Sequence, residues 1–176
     1  ILEDVLLDKI KILNKNTINN FKDKHNIELT FDNIAQKIFQ DFIKRFRQII
    51  DTTQHNKNID LHKLFFNDNN ILSFKLENKV LDYIVIDTNK SNNNIINIIK
   101  EKKLKRDASF EYADFAVFYN GLPFIVIEMK QFMVNGEQGY KKANEDYKRK
   151  TTYHNFLACI GTDTKKTFIS SNPKLS

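Results

Sequence analysis

The chain has 176 residues, 41% of them hydrophobic and fifteen of them Phe, with a net charge of +6. That length suits one domain with a proper core, and no apolar run approaches the ~20 residues of a membrane span. One Cys and four His leave no material for a disulfide or zinc framework, while the basic balance is compatible with nucleic acid as partner.

Taken in order, Val5, Leu6, Ile10 and Leu13 fall at helical spacing, which predicts a short amphipathic helix over Leu2–Leu13. Asn14–Asn26 is polar and reads as a loop or a second, weaker helix. From Phe31 to Ile50 the signal strengthens, with Ile34, Ile38, Phe39, Phe42, Ile43, Phe46, Ile49 and Ile50 on one wide face. Thr30 or Asp32 can cap its start. The opposite face offers Lys37, Lys44, Arg45 and Arg47, for which solvated surface is the bland reading.

Asp51–Asn70 is rich in Asn and Asp and carries His55 and His62, whose spacing fits no metal-binding pattern. Ile71–Leu76 and Lys79–Ile86 read as extended segments, the second covered on both faces because both of its parities are apolar. In Asn92–Arg106 a run of Ile leads into Lys100-Glu-Lys-Lys-Leu-Lys-Arg106, which predicts a short helix with a basic end. The bland alternative is a solvated loop. The functional alternative is a segment contacting phosphates through Lys100, Lys102, Lys103, Lys105 and Arg106.

Tyr112–Lys130 organises the rest. Two apolar and aromatic runs flank Asn120-Gly121-Leu122-Pro123, which is how a β-hairpin is written. The first run carries Asp114, and the second ends in Glu128-Met129-Lys130. Glu128 and Lys130 share a strand face while Met129 turns away. Charges on strands this apolar need a partner, since burying an unpaired charge is costly. One such partner is a divalent cation held by two carboxylates and a backbone carbonyl. An ordinary surface ion pair is the bland alternative.

The string from Asp114 through Asn-Gly-x-Pro to Glu128-x-Lys130 resembles the nuclease domain in the R subunit (HsdR) of type I restriction enzymes, within the PD-(D/E)xK superfamily. The resemblance implies an α/β, restriction-endonuclease-like fold, with a central mixed β-sheet of about five strands flanked by helices. It implies a Mg²⁺-dependent endonuclease that cleaves double-stranded DNA. Asp114, Glu128 and Lys130 would be catalytic, and Asp114, Glu128 and the Met129 carbonyl would hold the ion. A further acid from upstream would be Asp41 or Glu77.

The helix expected over Gln138–Lys150 departs from the family pattern Gln-x-x-x-Tyr: Lys142 stands four after Gln138, and Ala143 four before Tyr147. Tyr147 is a candidate by position only, and Lys141, Lys142, Lys148 and Arg149 form a second candidate DNA patch. Strands over Phe156–Gly161 and Lys166–Ser171 should extend the sheet.

Nothing matches a phosphate-binding loop, so ATP would act only through domains outside this chain. Partners implied are the modification and specificity subunits, with no membrane, in the cytoplasm. Ile1 is not an initiator Met, so the expectation is one nuclease domain over 1–176 from the N-terminal part of a larger protein. It would be helical over about 1–70, with its sheet core over about 71–171. The rival readings are a nuclease-like module that docks without cutting and a stand-alone repair or junction-resolving nuclease.

Overall fold

The computed structural model describes residues 1–51, 57–66, 71–106, 109–129, 145, 155–163 and 165–170. Two compact units divide the chain. The first comprises Ile1–Asp51, Leu61–Ile95 and Tyr119–Leu122; the second comprises Thr52–Asp60, Ile96–Phe118 and Pro123–Ser176.

The first unit is built on helices α1 (Glu3–Leu13), α2 (Lys15–His25) and α3 (Phe31–Ile50). The apolar stripe of α3 is its buried face: Ile34, Ile38, Phe42 and Phe46 recur at steps of four and pack away from water. Complete burial of one such Phe is worth about 1.5–3 kcal/mol. The Asn33 amide donates to the Thr30 hydroxyl at 3.2 Å, so Thr30 is the cap. The polar stretch after Leu13 is the helix α2, which buries Ile18 and Phe21 and ends at Asn26 in the left-handed conformation. Between α1 and α2, buried Asn14 donates to the carbonyls of Ile10 and Ile84 and accepts from the Ile84 amide, each at 2.8 Å.

The helix α4 (Lys57–Phe65) lies within the Asn- and Asp-rich stretch Asp51–Asn70, where no helix is expected from the sequence. Of those histidines, His62 rests beside Phe66, while His55 lies outside the described residues. Strands β1 (Leu72–Leu76) and β2 (Lys79–Tyr83) form a separate antiparallel pair. Their turn residues Glu77 and Asn78 both have positive φ, as a two-residue hairpin turn with right-handed twist requires. The expectation for Lys79–Ile86 needs correction. The strand stops at Tyr83 and is half-solvated, burying Leu81 and Tyr83 while leaving Val80 56% exposed.

The second unit holds a five-stranded mixed sheet in the order β3-β4-β5-β6-β7. Its strands are β3 (Ile96–Arg106), β4 (Ser109–Tyr119), β5 (Leu122–Met129), β6 (Ala158–Thr162) and β7 (Thr167–Ser170). β5 and β6 run parallel, with Ile125 opposite Ala158 through to Met129 opposite Thr162, and β6 and β7 run antiparallel. Ala116, Phe118, Val126, Phe156 and Cys159 are buried here, with the Phe118 and Phe156 rings edge to face at 5.7 Å.

The helix expected over Asn92–Arg106 is instead β3, preceded by a single 3₁₀ turn. β-branched Ile at positions 96, 98 and 99 favours the pleated backbone. The lysines then stand on the sheet's edge strand, where charge also discourages pairing with other chains. Glu101 has a φ of 51° and sits beside Lys100, both exposed, so the alternation of the strand slips there as at a β-bulge.

Candidate active site

The hairpin β4–β5 has a tighter turn than the four-residue break that its sequence suggests. Only Asn120 and Gly121 form the turn, with φ of 51° and 82°, and Pro123 lies within β5. Asn120 is fully buried and satisfied: it donates to the Val85 carbonyl at 2.9 Å and Asn94 Oδ1 at 2.7 Å, and its Oδ1 accepts from the Ile95 amide at 2.8 Å. Gly121 gives its carbonyl to the Leu2 amide at 2.8 Å. The Asn-Gly pair is therefore a clamp as well as a turn, a role that the sequence signals only as turn chemistry.

From this turn Tyr119 and Leu122 are partners. An unbroken ladder would put Asp114 and Glu128 on opposite faces of the hairpin. The burial pattern of β4 changes step, however: Phe118 and Ala116 are buried, and the next buried residue is Ala113. An extra residue in β4 at that point would reverse the parity and turn Asp114 to the face of Glu128. The side chain confirms the proximity, because Asp114 Oδ2 accepts a hydrogen bond of 2.6 Å from the Met129 amide. One carboxylate thus lies against the peptide that joins Glu128 to Met129.

Glu128 is 2% exposed, whereas Asp114 is half-buried and Met129 exposed. A carboxylate shielded this far needs hydrogen bonds or positive charge around it. In the parallel ladder its neighbour is Gly161, which contributes no side chain to the space beside Glu128. Among the described residues no group of three or more His, Cys, Asp or Glu is placed to hold a metal ion. Among the described residues, a cation here would find two carboxylates and backbone oxygen. That all-oxygen donor set suits a hard ion such as Mg²⁺, which keeps much of its water shell.

The other candidate residues are distributed as follows. Asp41 is committed within the first unit, bonded to Arg45 Nε at 2.7 Å and accepting from the Tyr83 hydroxyl at 3.3 Å. Glu77 is exposed on the β1–β2 turn. Lys100, Lys102 and Lys103 are on β3. Lys102 lies 5.7 Å from the centre of the Phe118 ring, and Lys103 3.6 Å from that of Phe110. Lys105 and Arg106 end the same strand. Lys130, Lys141, Lys142, Tyr147, Lys148 and Arg149 lie outside the described residues.

Sequence reading passed over Asp163, which follows Thr162 at the carboxyl end of the parallel pair. It is fully buried, and its Oδ1 accepts from the amides of Lys165 at 3.0 Å and Lys166 at 2.7 Å. Asp-x-x-Lys at a strand end was the available signal for that turn.

Helices with a five-stranded mixed sheet give the chain an α/β, restriction-endonuclease-like fold. The family model for the type I restriction enzyme R protein N terminus (HSDR_N) matches residues 1–174, and the chain belongs to this family. Comparison with curated proteins finds no match. No helix among the described residues is long and apolar enough to cross a membrane.

Proposed function

We propose that this chain is the Mg²⁺-dependent endonuclease domain of a type I restriction enzyme, cutting double-stranded DNA. The observation that carries the reading is the bond from the Met129 amide to Asp114, which brings the hairpin's two acids to one peptide. Asp114, Glu128 and the Met129 carbonyl would hold the ion. Once bound, Mg²⁺ neutralises charge developing on the scissile phosphate and acidifies coordinated water.

The protein's own residues do the rest. The Met129 amide fixes the Asp114 carboxylate by one oxygen, leaving acceptor capacity on the other. Burial keeps Glu128 in a low-dielectric setting, where its attraction for a cation is stronger than in water. Lys130 steadies the charged phosphate oxygens and orients the attacking water. Lysines on β3 contribute sequence-independent attraction for phosphates. Base reading would come from a separate specificity subunit, and ATP would be used by domains other than this one.

The test uses Asp114→Asn and Glu128→Gln in the assembled enzyme with ATP. Asn keeps an oxygen that can accept the Met129 bond, so the hairpin survives while the charge is lost. Calorimetry should show Mg²⁺ binding weakened and a plasmid assay should show cleavage lost in both variants. Undiminished cleavage by either variant rules out this site and leaves the non-cutting docking module as the better reading.

A further inference from the structure

β4 carries more than Asp114 along its outward face. Residues two apart in a strand point the same way, so Phe110, Tyr112 and Asp114 form one row. Exposure follows that pattern: Ala113 is buried, whereas Phe110 and Tyr112 are 52% and 56% exposed. The Lys103 ammonium lies 3.6 Å from the centre of the Phe110 ring, so a cation stands on the same face. The row therefore consists of two rings, each about half exposed, with a lysine against the first, leading to one of the proposed metal ligands.

Large exposed rings on a sheet imply a partner. The adjacent positive charge disfavours a wholly apolar one and suits a polyanion that has π-faces of its own. In a duplex the bases are stacked on each other and offer no free face to a flat row of side chains. Unpaired bases do, and each stacks on an aromatic ring whatever its identity.

We infer that Phe110 and Tyr112 are a stacking platform for an unpaired stretch of the DNA strand entering the site, with Lys103 meeting its phosphates. The inference rests on the nuclease reading of Asp114 and Glu128, and adds to it that the strand is unwound or frayed where it is cut.

The experiment is photo-crosslinking in the whole R protein carrying this chain. The probe is a single-stranded oligonucleotide bearing 5-iododeoxyuridine, compared with its duplex, in the absence of Mg²⁺. Crosslinks from the single strand should map to Phe110 and Tyr112, and the duplex should give few there. Phe110→Ala and Tyr112→Ala should each weaken capture of the single strand at this site by about 5- to 150-fold, while Tyr112→Phe, which keeps the ring, restores it. Absence of crosslinks at both positions, or equal capture by the alanine variants, overturns the platform and favours a protein surface as occupant. Asp114→Asn separates the two claims: it should abolish cleavage while leaving the crosslinks intact.

Discussion

Replacing Gly121 by Ala tests how the hairpin turn is held. The glycine has a φ of +82°, and a Cβ built on it would lie 2.5 Å from the Leu2 carbonyl oxygen and 2.9 Å from the Leu6 amide nitrogen. Both neighbours are backbone, so neither can swing aside as a side chain would. The left-handed conformation alone costs a non-glycine residue about 1–2 kcal/mol. Relieving the clash must also break or stretch the Leu2–Gly121 hydrogen bond of 2.8 Å, worth about 1 kcal/mol. Together these give a loss of about 2–3 kcal/mol. For a chain of this size each kcal/mol moves Tm by about 2–4 °C, so the midpoint should drop by about 4–12 °C. Urea denaturation followed by circular dichroism measures the free energy, and a thermal scan measures the midpoint. A variant within about 0.5 kcal/mol of the parent, the ordinary range for surface changes, would refute the packing of Gly121 on α1.

Asn120→Ala should cost about 2–4 kcal/mol in the same urea assay, because it strands the buried Val85 carbonyl and removes the partner of the part-buried Ile95 amide. Asp87 accepts from Asn93 Nδ2 and from the amides of Lys90 and Asn89, bonds that hold its carboxyl below the usual carboxylate range. A depressed folded pKa means stability present above the unfolded value of about 4 and lost as pH falls through the folded one. Protection of the Asn89 and Lys90 amides, relative to their unfolded exchange rates at the same pH, should therefore fall below pH ~4, and Asp87→Asn should remove that pH dependence. DNA binding through the β3 lysines should fall with salt by about 0.9 log units per log unit of salt for each phosphate neutralised. Binding to duplex at two salt concentrations checks this, and Lys100→Ala with Lys103→Ala should flatten the slope.

Legibility in the sequence followed the strength of the periodic signal. α3 was plain because its apolar residues recur at helical spacing over five turns, and Thr30 marks the start. The β4–β5 hairpin was plain because aromatic and β-branched runs flank Asn-Gly. Its exact turn was not, since Leu122-Pro123 looks like loop chemistry yet lies inside β5. β3 was misread because its lysines resemble the basic end of a helix. On an edge strand the same charges protect an open backbone, a tertiary circumstance that no local window contains. α4 was missed because Asn and Asp dominate its surroundings and its apolar face is narrow. At the site, Asp114 and Glu128 could be named from sequence, but the bond from the Met129 amide to Asp114 and the change in which residues of β4 are buried could not. The exposure of Phe110 and Tyr112 was equally hidden, since aromatic residues in a strand ordinarily read as core.

The most direct measurement of the central claim is Lys130→Ala in the assembled enzyme, with Mg²⁺ binding and DNA cleavage measured on the same preparation. In the proposed mechanism Lys130 acts on the attacking water and the phosphate and does not ligate the ion. Metal binding should therefore persist or tighten as a nearby positive charge is removed, while cleavage falls by about 10²–10⁴-fold. Cleavage at the parent rate, with the metal still bound, would contradict the account and place the nuclease elsewhere.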